Sequence, residues 1–179
     1  LVGNICNAAP SADSAPPLIT MGAEVVLASL KGERRLPLDA FFRGPGITAM
    51  ERGEILTSVI VPPPPPATGC AYKRISARCG VDIAAVCVGV TAGFDGAVCK
   101  TAKIVLGAVG PVPLRAEKTE AQVLGREWTA ELLGQAGDLA ADEARPISDV
   151  RASAEWRKRM VAVLTRRALE EALDRAKRR

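Results

Sequence analysis

Short runs of hydrophobic and polar residues predict strands in the first sixty residues. Residues 21–29 (MGAEVVLAS) alternate, and residues 54–61 (EILTSVIV) are enriched in β-branched side chains, so each run predicts one strand. Between them, KGER predicts a tight turn, and RLPLDAFF predicts a short strand that leads into a helical turn. This pattern indicates that the first part of the chain builds a sheet.

Three stretches beside these strands have no such pattern. Residues 1–17 are rich in Asn, Pro, Ala, Ser and Asp, and residues 43–50 (RGPGITAM) are rich in Gly and Pro, so both predict loops. Residues 62–66 are all proline, which has no N–H to donate and a fixed φ. They predict a stiff, extended connector, in preference to a ligand for a proline-binding domain. We place a domain boundary here.

The residues after the prolines predict an antiparallel meander. Residues 70–76 (CAYKRIS) and 83–94 (IAAVCVGVTAGF) each predict a strand. Asp95 and Gly96 then form a two-residue turn signal, and residues 97–109 supply the returning strand. Three neighbouring strands of a second sheet follow from this order.

Helical spacing replaces the strand pattern from residue 116 onward. Residues 116–125 and 129–144 predict two helices, with Gly125 as a stop signal and Ser153 as the N-cap of a last helix. That last helix carries an apolar stripe, which we interpret as core rather than as a groove for a partner. The stripe consists of Trp156, Met160, Val161, Leu164, Ala168, Leu169, Ala172 and Leu173.

These elements predict an α+β fold in which a small antiparallel sheet is packed with helices behind a first sheet region. The predicted division is a unit over residues 1–61, a proline-rich connector over residues 62–68 and a second unit over residues 69–179. With 179 residues, 48% of them hydrophobic, the chain can bury a proper core.

Composition excludes several kinds of function. The chain has no histidine, which excludes Ser-His-Asp and Cys-His catalysis on its own residues. Its five cysteines form no C-x-x-C pair, so we expect no metal site and reduced, cytoplasmic thiols. No apolar stretch is long enough to span a membrane, and no secretory signal is visible.

Charge is concentrated at one end of the chain. The formal net charge is +4, and residues 151–179 contain ten Lys or Arg against four Asp or Glu. We interpret this run as a solvated helix face, although an acidic partner subunit or nucleic acid could also bind it. Aromatic residues make up only 3% of the chain, which argues against modules that stack on bases. We therefore expect no nucleic-acid partner.

The first residues carry the least ordinary chemistry. Gly3 allows close backbone approach, Asn4 and Asn7 offer amide groups, and Asp13 can accept hydrogen bonds. Considered alone, this composition favours a turn that satisfies its own polar groups over a binding loop.

A family resemblance changes that interpretation. GNICNAAPSADSAPPLITMGAEVVLAS resembles the second flavin-binding segment of the FAD-containing medium subunit of molybdenum hydroxylases, the family of xanthine dehydrogenase and carbon monoxide dehydrogenase flavoproteins. The likeness continues in order through LPLDAFFRGPGITAMERGEILTSVIVP, AYKRISARCGVDIAAVCVGV, KIVLGAVGPVPLRAEKTE and ISDVRASAEWRKRMVAVLTRRAL. It implies the rear part of a PCMH-type FAD-binding domain over residues 1–61, followed by a CO dehydrogenase flavoprotein C-terminal domain over residues 69–179.

The resemblance implies cofactor-binding roles for the first residues. The Gly-Gly-Asn of the family corresponds to Val2, Gly3 and Asn4, with Val2 in place of the first glycine. Asn7 occupies a position that is often Thr or Asn in the family, and Asp13 matches an aspartate expected to contact flavin or ribityl groups.

The resemblance implies further cofactor-binding roles later in the chain. Leu56 matches an apolar residue near the flavin ring, and Lys73 a lysine near the isoalloxazine end, where a cation would favour reduced flavin. Arg78 and Asp82 are weaker candidates that would line the approach to the flavin. No catalytic residue and no metal ligand is expected on this chain.

The function implied by the resemblance is electron transfer. FAD would receive electrons from [2Fe-2S] clusters on a small subunit, after substrate oxidation at a molybdenum cofactor on a large subunit, and pass them to an acceptor. A cytoplasmic dimer of heterotrimers is implied. The family carries a Gly-rich pyrophosphate loop ahead of the matched region. We therefore expect residues 1–179 to be a cleaved or partial subunit, or one piece of a split subunit. We expect these residues alone to be inactive and to bind FAD weakly. A non-enzymatic assembly module is the alternative.

Overall fold

The computed structural model describes residues 1–78 and 82–178. The first part of the chain contains a three-stranded antiparallel sheet in the order β2-β1-β5, a two-stranded hairpin of β3 and β4, and two short helices. A single 3-10 turn, Leu38–Ala40, follows β2. The elements are α1 (Val2–Cys6), α2 (Ala15–Thr20), β1 (Glu24–Ser29), β2 (Gly32–Pro37), β3 (Phe42–Gly44), β4 (Ile47–Thr48) and β5 (Ile55–Ile60).

The structure corrects two loop predictions in this part. Residues 1–17 were expected to form a loop, but they contain α1 and the start of α2. Pro16 and Pro17 occupy the first turn of α2, where a missing N–H costs nothing and the fixed φ suits a helix. Residues 43–50 were also expected to be a loop, yet they contribute to the hairpin of β3 and β4, which turns at Gly46 with a φ of +70°.

The second sheet confirms the predicted meander and adds one strand to it. Its order is β6-β7-β8-β9, and every neighbouring pair is antiparallel. Gly96 takes a φ of +59° at the turn between β7 and β8, which a glycine adopts without strain. The strands are β6 (Thr68–Ile75), β7 (Val86–Asp95), β8 (Val98–Gly107) and β9 (Leu114–Arg115).

Three helices cover one face of the second sheet. They are α3 (Glu117–Val123), α4 (Ala130–Glu143) and α5 (Ala154–Lys177). Ser153 caps α5 as predicted, because its hydroxyl accepts a hydrogen bond of 3.2 Å from the N–H of Trp156. Most of the predicted stripe on α5 is buried against the sheet, whereas Trp156 is exposed.

Glycines let both neighbouring helices approach the second sheet closely. A Cβ at Gly69 would lie 1.7 Å from the carbonyl oxygen of Ala172 on α5. On the opposite face, a Cβ at Gly89 would lie 2.8 Å from the backbone of Pro16 on α2. The sheet is therefore sandwiched between α5 and α2, and the contact with α2 places the N-terminal residues beside β6 and β7.

No helix within the described residues is both long enough and apolar enough to cross a membrane. The cysteines at positions 6, 70, 87 and 99 are free. Cys79, which completes the scattered set noted in the sequence, lies outside the described residues.

Candidate functional site

The centre of the candidate site is the carboxylate of Asp13, which lies just before α2. One of its oxygens, Oδ1, accepts a hydrogen bond of 2.8 Å from the Tyr72 hydroxyl. The other, Oδ2, accepts a charged hydrogen bond of 2.9 Å from Nη1 of Arg74. Both donors come from β6, so this cluster joins the N-terminal segment to the second sheet.

Arg74 also organises the chain after β6. Its Nη2 donates to the backbone oxygen of Asp82 at 2.7 Å and to the Ser76 hydroxyl at 3.3 Å. A guanidinium can make such divergent bonds because its five N–H groups form a rigid fork. One side chain thereby holds Asp13 and the start of the segment that leads into β7.

Asp82 is a well-satisfied carboxylate. Its pKa is held below the usual range, first by the backbone N–H of Arg78 and then by that of Ile83, with hydrogen bonds of 2.9 and 2.8 Å. The Arg78 guanidinium approaches to 3.3 Å and adds a weak ion pair. Both weaker sequence candidates, Arg78 and Asp82, therefore lie next to the Arg74 contact.

The Tyr72 hydroxyl keeps its proton at neutral pH and can donate a hydrogen bond. Burial raises its pKa above the usual range, with further contributions from the neighbouring Cys87 thiol and from Asp13. Burial also raises the pKa of the Cys87 thiol to about 12. Both groups therefore stay protonated at neutral pH, and the charge of this cluster comes from Asp13 and Arg74.

Of the predicted N-terminal residues, Asn4 lies beside this cluster. The amide oxygen of Asn4 accepts a hydrogen bond of 2.5 Å from the hydroxyl of Ser14, the neighbour of Asp13. Gly3 and Asn7 are exposed, and a Cβ at Gly3 would meet no atom within 4 Å. Val2 is half-buried and packs against the hydrophobic core of the first sheet region. Helix α1 thus leaves Gly3, Asn4 and Asn7 exposed, with Asn4 bonded to the neighbour of Asp13.

Two predicted residues lie elsewhere. Leu56 is only 4% exposed and belongs to the core of the first sheet region. Lys73 forms an ion pair with Glu171 on α5, whose pKa it lowers through that hydrogen bond. Successive side chains of a strand point to opposite faces, so Lys73 lies on the face of β6 away from Asp13.

Tyr72 and Arg74, the two partners of Asp13, are not among the residues predicted from the sequence. The signal was present in AYKRIS, because a strand places every second residue on the same face. A lysine at position 73 must then lie opposite its neighbours at positions 72 and 74. The face that would meet the N-terminal segment could not be read from β6 alone.

A buried arginine fixes the start of β7 just beyond the cluster. Nη1 of Arg157 donates to the backbone oxygens of Ala85 and Ala108 at 3.1 and 2.9 Å, and its Nη2 donates to Asp149 at 2.7 Å. Hydrogen bonds from the backbone of Arg151 first, and from Arg157 and Ala152, lower the Asp149 pKa to about 2. A cavity of about 340 Å³ lies against Arg157 and Ala108.

Comparisons with known families decide where the chain belongs. The model of the CO dehydrogenase flavoprotein C-terminal domain matches residues 71–172, more than half of the chain. This chain belongs to that family. The model of the FAD binding domain in molybdopterin dehydrogenase matches residues 1–64. The resemblance inferred from the sequence is confirmed.

Individual relatives agree with the family assignment. The carbon monoxide dehydrogenase medium chain of Afipia carboxidovorans is 35% identical over 98% of this chain and 60% of its own length. The xanthine dehydrogenase FAD-binding subunit of Escherichia coli O157:H7 is 29% identical over 96% of this chain and 59% of its own. This chain therefore spans about three fifths of these relatives.

Solved structures confirm the α+β fold. Carbon monoxide dehydrogenase from Hydrogenophaga pseudoflava, in a form that lacks the Mo-pyranopterin moiety, superposes with a TM-score of 0.92 at 32% identity, over 97% of this chain and 60% of that one. Quinoline 2-oxidoreductase from Pseudomonas putida 86 superposes with a TM-score of 0.89 at 28% identity, over the same shares.

Proposed function

We propose that this chain forms part of the FAD-binding, electron-transfer subunit of a molybdenum-containing hydroxylase or dehydrogenase. The observation that carries the proposal is the Asp13 cluster. It joins the segment matched by an FAD-binding domain model to β6 of the C-terminal domain. The names of the relatives, which are medium chains and FAD-binding subunits, support the same role.

The residues at the cluster suit a flavin cofactor. Gly3 has open space around its Cα, so a ligand can approach the backbone there. A carboxylate offers about four lone-pair sites, and Asp13 uses two of them on Tyr72 and Arg74. Its remaining lone pairs can accept hydrogen bonds from ribityl hydroxyls or a ring N–H.

Each side chain then has a limited role. Asn4 and Asn7 provide amide donors and acceptors at the exposed edge of α1, and Asp13 accepts from the polar part of the cofactor. When bound, FAD would supply the redox chemistry between iron–sulfur clusters and an electron acceptor. The chain itself contributes no acid, base or nucleophile in this proposal.

We assign the cation of the site to Arg74 in preference to Lys73. Each cation pairs with a carboxylate, but Arg74 bonds to Asp13 at the proposed site, whereas Lys73 pairs with Glu171 on the opposite face of the sheet. Leu56 supports the site from within the core of the first sheet region and is not exposed to a ligand.

The proposal includes the wider assembly. We place the chain in a cytoplasmic dimer of heterotrimers with a [2Fe-2S] small subunit and a large subunit that holds the molybdenum cofactor. The proposed division into residues 1–61, 62–68 and 69–179 assigns cofactor binding to the first unit and to β6 of the second.

An assembly module without a cofactor is the second candidate. Ile147 and Val150 favour it, because they are 71% and 101% exposed on a segment that Asp149 and Arg157 hold in place. Large apolar side chains presented on a fixed segment are typical of protein–protein contacts. This candidate predicts subunit binding with no flavin in the purified complex.

Flavin content separates the two candidates. The complex is purified from cells that express this chain from its own locus, and the visible spectrum is recorded before and after heat release of the cofactor. The proposed function predicts flavin absorption and about one FAD for each copy of this chain. A colourless complex that still contains its subunits would contradict it.

A further inference from the structure

Two donors hold the Asp13 carboxylate by its two different oxygens. The Tyr72 hydroxyl donates to Oδ1 at 2.8 Å, and the Arg74 guanidinium donates to Oδ2 at 2.9 Å. Rotation of the carboxylate about its Cβ–Cγ bond would break both contacts, so the pair fixes the plane of the group. The lone pairs that remain then have a defined direction.

The Tyr72 side chain also contacts a buried group other than Asp13. Its side chain is half-buried, and its hydroxyl lies beside the buried Cys87 thiol. A Cβ at Gly107 would lie 2.5 Å from the Cys87 sulfur, so little room is left behind that thiol. This arrangement keeps the Tyr72 hydroxyl aimed at Asp13.

We propose that Tyr72 is a positioning residue of the flavin site, whose hydroxyl orients the Asp13 carboxylate so that its free lone pairs face the cofactor. The inference rests on the proposed function and extends it to a residue that does not itself touch the flavin. It differs from a purely structural role, in which the Tyr72–Asp13 bond would only fasten the N-terminal segment to the second sheet.

A second hydrogen bond between the same two parts of the chain provides a matched control. The Thr91 hydroxyl on β7 lies 3.0 Å from the Thr20 hydroxyl on α2. Thr91 sits on the same sheet face as Tyr72, since it pairs with Cys70, two residues away along β6. The Thr91→Val variant therefore removes a comparable tie without touching Asp13.

The test compares Tyr72→Phe and Thr91→Val in the whole FAD-loaded protein, purified from its own cells. We measure the FAD dissociation constant by flavin fluorescence and the visible circular dichroism of the bound flavin. Tyr72→Phe should raise the dissociation constant about three- to tenfold, the range for one lost hydrogen bond, and change the dichroism. Thr91→Val should lower the melting temperature but leave both flavin readouts unchanged.

A double variant keeps the test decisive. In an Asp13→Ala background, where the acceptor of the Tyr72 hydroxyl is absent, Tyr72→Phe should weaken FAD binding no further. Unchanged flavin readouts in Tyr72→Phe, or equal changes in Thr91→Val, would overturn the positioning role. Failure of the proposed function is recognised separately, because the wild-type protein would then contain no flavin at all.

Discussion

Replacing Arg157 with methionine tests the packing around the candidate site in a way that does not depend on any cofactor. The Arg157 side chain is about 5% exposed and donates three hydrogen bonds, to two backbone oxygens and to the Asp149 carboxylate. Methionine keeps the aliphatic volume but leaves these acceptors without their donor. The variant therefore isolates the cost of losing the guanidinium.

The magnitude follows from these contacts. Hydrogen bonds from a charged donor contribute about 1.5–3 kcal/mol each, and unpairing a buried charge pair costs about 3–5 kcal/mol. The cavity of about 340 Å³ beside Arg157 is also lined by Ala108 and Asp149, so water can reach two of the three freed acceptors. We therefore expect the lower end, about 3 kcal/mol. For a chain of this size, that corresponds to a fall in melting temperature of about 6–12 °C.

The assay is thermal and urea unfolding of Arg157→Met, with Arg159→Met as the matched control. Arg159 is exposed and pairs with Glu155 one helical turn away, so its replacement should change stability by less than about 0.5 kcal/mol. Arg157→Lys, which keeps the charge but not the fork, should fall between the two. A loss below about 1 kcal/mol in Arg157→Met would refute the reasoning, because Arg157 would then be dispensable.

The other predictions concern close packing, the cation of the site and pH. Gly69→Ala should destabilise the fold by more than about 3 kcal/mol in urea unfolding, because the new Cβ would meet the backbone of α5 at 1.7 Å. An unchanged free energy of unfolding would contradict the close contact between β6 and α5. In a fluorescence titration, Arg74→Ala should weaken FAD binding about tenfold or more, and Lys73→Ala should weaken it less than twofold. A larger effect of Lys73→Ala would indicate that Lys73, and not Arg74, is the cation of the site. The pKa of Asp149 falls from an ordinary 3.8 to about 2, so its contribution to folding stability is full above pH 4 and is lost as pH falls toward 2. The difference in melting temperature between wild type and Asp149→Asn should therefore shrink over this pH range. A difference that stays constant down to pH 2 would contradict this expectation.

Strand and helix periodicity made most of the second sheet and its helices predictable. Runs of apolar and β-branched residues between turn signals mark β6, β7 and β8, and the apolar stripe of α5 matches its buried face. Helix α5 buries one continuous face and β7 is buried on both faces, so their side-chain patterns reflect their surroundings. The two-residue strand β9 is too short to carry such a pattern.

The N-terminal helices could not be predicted in the same way. Helix α1 has five residues and α2 has six, lengths at which an isolated helix is not stable in water. Their stability comes from tertiary contacts, since Ile5 and Ala15 are fully buried in the hydrophobic core of the first sheet region. A composition rich in Asn, Pro and Ser therefore predicts a loop where packing produces helices.

The candidate site shows the same limit. The family resemblance pointed to Gly3, Asn4 and Asp13, and the structure joins Asn4 to Ser14, the neighbour of Asp13. Choosing between Lys73 and Arg74 required knowledge of which face of β6 meets α2, and that is a property of the packed sheet. The resemblance alone could not supply it.

The most direct measurement is a structure of the FAD-loaded complex purified from its own cells. We predict a polar group of the flavin or ribityl chain within about 3.2 Å of an Asp13 oxygen, with Gly3 facing the cofactor and Tyr72 and Arg74 still bonded to Asp13. FAD bound away from Asp13, or in contact with Lys73 on the opposite face of the sheet, would contradict it.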